Sequence, residues 1–262
     1  MHKHTLRPRA GFTLIELLTV IAIIGILAAI LFPAIGAAKK AAYKANDLAN
    51  LKSIGQAALV YASDNSDRLP DPQRISNPIK GGTKYKQWFA LLAKGGNLSD
   101  PTILVSKLDA LYPPDLPTAI LKPDDPTKTV MDDNFANTQF VPSYEVVGGI
   151  KASDPSTTPI AFTRGLQTTG KWDTNSGTYG ADGGGLIVYV GGNVSQYKSI
   201  GSPSLLIQTT GNTTLNILQA IPYVATGNQR VYGPSGANGG TTVGSSDGTK
   251  SIAPGSASGT TD

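Results

Sequence analysis

The sequence contains no cysteine, and its two histidines, His2 and His4, both stand within the first four residues. Glutamate is almost as scarce, with only Glu16 and Glu145. The lack of cysteine excludes disulfides, the common staple of exported domains, so the C-terminal region is held by packing, by an ion, or not at all. Beyond residue 11 the chain has neither the usual zinc ligands nor the commonest general base. Phosphate-loop, nucleophile-elbow and paired-cysteine motifs are missing too. The run Gly183-Gly184-Gly185 follows a loop and precedes a strand, the reverse of a dinucleotide fingerprint. This inventory argues against catalysis: it offers no catalytic residue, calls for no cofactor and gives no metal site. An excess of one charge is also lacking. The chain has 22 Lys and Arg against 18 Asp and Glu, with a pI near 9.1. Lys3, Arg7 and Arg9 lie in the first eleven residues, and setting them aside leaves 19 against 18. Such a balance does not hold nucleic acid by bulk charge.

What the chain does have is one long apolar run. From Leu17 to Ala38 there is no charge, and Thr19 is the one clearly polar side chain. As a helix rising about 1.5 Å per residue, the stretch from Phe12 spans roughly 40 Å, more than the ~30 Å of a bilayer's hydrocarbon core. Glu16 stands one turn inside it. An ionisable group in a membrane span is costly and marks a functional position. A plain uncleaved anchor has no use for such a residue, which counts against that simpler reading. An ordinary secretory signal would be cut after the apolar run and leave a chain starting near residue 38. Loop charge does not orient the span, because Lys3, Arg7 and Arg9 on one side are matched by Lys39, Lys40 and Lys44 on the other. Gly25 and Pro33 are its weak points: proline removes a backbone hydrogen bond and predicts a kink near residues 29–33. Gly25 and Ala29 form a small-xxx-small pair through which helices approach closely.

The segment Gly11-Phe12-Thr13-Leu14-Ile15-Glu16, after a basic leader and before an apolar helix, resembles the class III signal of type IV pilins and type II secretion pseudopilins. The resemblance implies cleavage between Gly11 and Phe12 by a prepilin peptidase, N-methylation of Phe12, and a role for Glu16 in filament assembly. It implies a cytoplasmic leader and an exported C-terminal domain. Pro33 falls where many members also carry proline. Further on, Trp88 in an apolar helix and the run from Gly184 to Val194 resemble the large pseudopilin-like proteins of some environmental bacteria.

After Pro33 the pattern turns amphipathic. Residues 34–63 read as a continuation of the helix, with Leu48, Leu51, Ile54, Ala58 and Tyr61 on one stripe. The cluster Asp64-Asn65-Ser66-Asp67 ends it and lacks the ligand pattern of a calcium loop. A short helix is expected over about Lys84–Lys94, with Trp88, Leu91 and Leu92 inward and Gly95-Gly96 closing it. Ser99-Asp100-Pro101 starts either a further helical turn or a strand through Ile103. Residues 112–134, rich in proline and aspartate, read as irregular surface. Strand signals follow at Ser143–Gly148, Ile160–Thr163, Gly185–Val190 and Val194–Tyr197, with a turn at Gly191-Gly192-Asn193. Residues 170–184 read as a loop over one end of the sheet, and residues 204–232 as extra strands or a small appendix.

The expected architecture is therefore α+β and pilin-like: a long N-terminal helix, half transmembrane and half amphipathic, packed on an antiparallel sheet. Its parts are a leader (1–11), a transmembrane filament-core helix (12–38) and a globular domain (39–232) that includes the amphipathic helix 39–63. A Gly/Ser/Thr-rich tail (233–262) is expected to be disordered, because it cannot bury enough surface to offset its ordering entropy. The function expected is that of a structural, non-enzymatic subunit of a type II secretion pseudopilus or a type IV pilus, single-pass in the bacterial inner membrane. Its partners would be copies of itself, the prepilin peptidase, an inner-membrane assembly platform and membrane lipid. The alternative is a membrane-anchored, adhesin-like protein that binds surfaces without polymerising.

Overall fold

The computed structural model describes residues 12–76, 78–167, 169–200, 205–206, 210–222 and 230–234. The chain forms two compact units that divide between Ala42 and Tyr43. Helix α1, Leu14–Asp64, runs unbroken through Gly25 and Pro33 and belongs to both. Its end lies where the polar cluster was expected to stop it. Ser66 and Asp67 both take positive φ, 55° and 65°, a conformation that small polar side chains tolerate better than most.

From Tyr43 onward α1 is built to be covered. Its buried residues are Asp47, Leu51, Ile54, Gly55, Ala57, Ala58 and Ala62. Most are small, so the helix lies close against the sheet. A Cβ added at Gly55 would come within 2.6 Å of Val188 Cγ2. The stripe read from sequence needs one correction. Leu48 is 37% exposed, and the buried position in that turn is Asp47. The buried face is rotated by one residue because the loop after residue 104 supplies a hydroxyl there, as set out below.

The sheet has five antiparallel strands, in the spatial order Val194–Tyr197 (β4), Gly185–Tyr189 (β3), Pro159–Thr163 (β2), Tyr144–Gly148 (β1) and Arg230–Tyr232 (β7). Strands β1, β2, β3 and β4 form a meander. The expected strand segments are all present, and Gly192, at φ 80°, makes the β3–β4 turn. Every residue of β1, β2 and β3 is buried. Since successive side chains alternate between faces, both faces of the central strands are covered. Of the two readings offered for residues 204–232, the described residues support extra strands. After the small pair β5 (Leu205–Leu206) and β6 (Thr213–Thr214) and the turn of helix α4 (Ile217–Ala220), strand β7 (Arg230–Tyr232) joins the main sheet beside β1. There Val146 faces Tyr232 and Gly148 faces Arg230.

Helix α2, Lys84–Lys94, has the expected span, with Thr83 as N-cap. It packs on β1 and β7. Trp88 is fully buried and donates its Nε1–H to the Val147 carbonyl at 3.0 Å. The Tyr85 hydroxyl sits between the carbonyls of Pro142 and Tyr144. The ambiguous stretch after Ser99 is a 3-10 turn, Pro101–Leu104, capped by the Asp100 carboxylate. Several aspartates of the acidic loops are turn-makers. Asp132 caps α3 (Asp133–Ala136) through the N–H groups of Asn134 and Phe135. The Thr127 hydroxyl, with the backbone N–H groups of Thr129, Thr127 and Val130, draws the Asp125 pKa down to about 2.

One polar chain crosses this core. Arg164 Nη2 donates to Asp109 Oδ1 at 2.6 Å, both side chains being about 1% exposed. Ser143 Oγ donates to Asp109 Oδ2 at 2.6 Å, and Ser106 N–H donates to Ser143 Oγ at 2.9 Å. Ser106 Oγ then donates to Asp47 Oδ2 at 2.6 Å. Buried polar groups persist when their partners are supplied, and here each link supplies the next. The last link holds Asp47 inward. Gly233, after β7, is buried against Glu145. Residues 235–262, most of the expected tail, lie outside the described residues, as do 1–11.

Candidate functional site

The first turn of α1 is built by a reciprocal pair. Thr13 is the residue just before the helix, and its Oγ1 accepts the backbone N–H of Glu16 at 3.3 Å. Glu16 returns the contact: its Oε2 accepts the Thr13 backbone N–H at 2.9 Å and the Thr13 hydroxyl at 2.7 Å. This is a capping box, which satisfies N–H groups that every helix start leaves open. The sequence reading passed over Thr13. Its signal was present in the spacing Thr13-Leu14-Ile15-Glu16 directly before an apolar run.

The box uses one carboxylate oxygen of Glu16. Oε1 has no partner among the described residues, and no Lys or Arg lies between Phe12 and Ala38. The box aims the Glu16 side chain back at Thr13, next to Phe12, which is 78% exposed. Thr19 Oγ1 donates to the Glu16 carbonyl at 3.0 Å, so the polar side chain nearest to Glu16 in the apolar run also spends its hydrogen on its own backbone.

Along the helix beyond this turn, the side chains from Leu14 to Ala42 are exposed, Ala28 being half-covered. Fifteen large apolar residues between Phe12 and Ile35 stand in the open. At about 1.5–3 kcal/mol for each such side chain, exposing the set to water is unfavourable on the order of 20–40 kcal/mol. One ionised carboxylate within a bilayer is unfavourable by about 2.5–3.5 kcal/mol at the centre, and less near an end. The apolar term wins by a wide margin, so lipid or protein must cover the helix. It is long and apolar enough to cross a membrane. A Cβ added at Gly25 meets nothing within 4 Å, so the small pair it forms with Ala29 is open.

A protein-family model matches residues 6–32 of this chain, and its description is the prokaryotic N-terminal methylation motif. The chain carries a prepilin-type signal. That signal is typical of type IV pilins and pseudopilins, and it implies processing by a prepilin peptidase. An apolar N-terminal helix directly after a prepilin-type signal is the arrangement of a membrane-anchored, exported, pilin-like protein. No curated protein and no solved structure matches the chain. Of the residues singled out from sequence, Glu16, Gly25 and Pro33 share the exposed helix, and Phe12 lies two residues before its start. Gly11 lies outside the described residues.

Proposed function

We propose that the protein is a structural subunit that polymerises through α1 into a pseudopilus or pilus after removal of residues 1–11. The observation that carries this reading is a prepilin-type signal running directly into an exposed apolar helix whose far end is the spine of an α+β domain. Cleavage between Gly11 and Phe12 creates an amine on Phe12 that stays cationic after one methylation. That amine supplies the charge the apolar segment lacks. On one subunit it meets the Glu16 carboxylate of a neighbour, and in low dielectric the pair is attractive where either charge alone is penalised. The Thr13–Glu16 box lies wholly after the cut, so processing leaves it intact and Oε1 remains open for the incoming amine. The prepilin peptidase and an inner-membrane assembly platform are the implied partners. Absence of cysteine favours a secretion pseudopilus over a surface pilus.

The absence of native cysteine also makes the test free of background. Ile24→Cys and Leu31→Cys, oxidised together in membranes, should give a ladder of crosslinked multimers. Adding Glu16→Ala should leave the amount of membrane-bound protein unchanged and cut the ladder at least tenfold. A wild-type ladder from the Glu16→Ala chain, or bands no larger than dimer from the parent, would overturn the reading.

A further inference from the structure

A cleft of about 370 Å³ opens within the domain, between α1 and residues 102–116. That size is within the range of small-molecule sites, roughly 300–1,000 Å³. Tyr43, Asn46, Asp47 and Asn50 line it from the helix, with Lys107 and Tyr112 opposite. Asp47 is 2% exposed and has no cationic partner among the described residues. The cations around it are engaged elsewhere. Arg164 is held by Asp109, while Lys44 lies 3.9 Å from Asp182 and 5.0 Å from the centre of the Tyr179 ring. Lys107 sits 5.8 Å from the centre of the Tyr43 ring, at the cleft. The buried Tyr179 and Tyr144 hydroxyls neighbour the same carboxylate and, with Ser106, favour its ionised form, but none of them carries a charge. Burial, with a smaller push from the Asp109 charge, lifts the Asp47 pKa to about 6, against hydrogen bonds that pull it down.

A buried carboxylate without a counter-ion, at the wall of a cleft with aromatic faces and amides, is suited to a cation. Among the described residues no three His, Cys, Asp or Glu side chains come together, so the donor set is poor for a divalent metal. Aromatic faces instead attract ammonium groups, and the position of Lys107 over Tyr43 shows such a contact at this cleft. We propose that the cleft binds a small organic ammonium ligand, with Asp47 as its counter-ion and Tyr43 and Tyr112 as its aromatic walls. This site does not depend on the filament reading. Binding needs Asp47 ionised and the amine protonated, so it is confined between about pH 6 and the amine's own pKa near 10.

The test is calorimetric titration of the full-length protein in neutral detergent with 1,5-diaminopentane, at constant ionic strength. Saturable binding is expected at pH 8, about tenfold weaker at pH 5. Asp47→Asn should abolish it, and Tyr112→Ala, at a side chain 36% exposed, should weaken it several-fold without touching the core. The uncharged 1,5-pentanediol should not bind. Absence of saturable binding at pH 8 overturns the proposal. So does binding undiminished in both variants, or an equal heat from K⁺, which would assign the site to an inorganic cation.

Discussion

Residues 14–42 and residues 43–64 belong to one unbroken helix, yet each is fitted to a different solvent. The first part exposes Ile, Leu, Val and Phe on every side and keeps one carboxylate, Glu16, at its start. The second buries a narrow face made largely of alanine, glycine and two large aliphatics, and it too carries one carboxylate inward, Asp47. Both acids are oriented by a hydroxyl, Thr13 for one and Ser106 for the other. They differ in what is missing. Glu16 has no Lys or Arg beside it in the apolar run from Phe12 to Ala38, whereas Asp47 lies in a domain rich in cations, none of which pairs with it among the described residues. Helical continuity thus says little about role; what covers each face decides it.

The contrast breaks most severely at Trp88. Trp88→Ala empties a fully buried site and removes the hydrogen bond to Val147, so the domain should lose about 3–5 kcal/mol. Membrane insertion of residues 14–42 should be unaffected. Denaturant unfolding followed beside carbonate extraction of membranes checks both halves, and a loss of insertion would mean that the two parts are not independent.

A smaller effect is expected at Asp47. Its folded pKa of about 6 exceeds the ordinary 3.8, so the folded state holds the proton more tightly than the unfolded one. The contribution of this group to stability therefore falls as pH rises from about 4 to about 6, by at most about 3 kcal/mol. Asp47→Asn keeps an acceptor for Ser106 and removes the charge. It should raise stability at pH 7 by about 1–3 kcal/mol and flatten the stability profile between pH 4 and 7. A variant less stable than wild type at pH 7 would show that the carboxylate's hydrogen bond outweighs its desolvation.

The mildest change sharpens the membrane side. Thr13→Ala removes the cap hydroxyl, and loss of such a cap costs about 1 kcal/mol. Amides of the first turn of α1 should then exchange hydrogen about fivefold faster in micelles, with no change in the melting of the domain. Unchanged exchange would show that Glu16 alone secures the helix start.

The elements were legible where local chemistry dictates them. Lys84–Lys94 has apolar spacing and closing glycines, and the four meander strands are short β-branched or aromatic runs between Gly and Pro. The prepilin-type signal was equally legible, because a peptidase must read it from a linear segment. What stayed hidden depends on distant partners. Nothing near Asp47 in sequence reveals that Ser106, 59 residues on, turns it inward and leaves Leu48 outside. The membership of β7 in the main sheet is equally non-local, since its partner β1 lies more than eighty residues earlier. The aspartates of the loops read as surface charge because their acceptors serve nearby N–H groups, a role that composition does not display.

The placement of β7 also sets an order of events. The sheet is a local meander from β4 to β1, but its last edge is closed by residues 230–232. The Tyr232 hydroxyl then fastens that strand to Asp71 at 2.6 Å, across 161 positions of sequence. Closing so long a loop is entropically slow, and contacts of this separation form late. During synthesis the earlier strands emerge first, with the β1 edge open. The β1–β7 pairing and the Tyr232–Asp71 bond can form only once the chain has been made through Tyr232. A chain ended before Arg230 would therefore leave β1 as an open edge of the sheet and α2 without the strand β7 on which it packs.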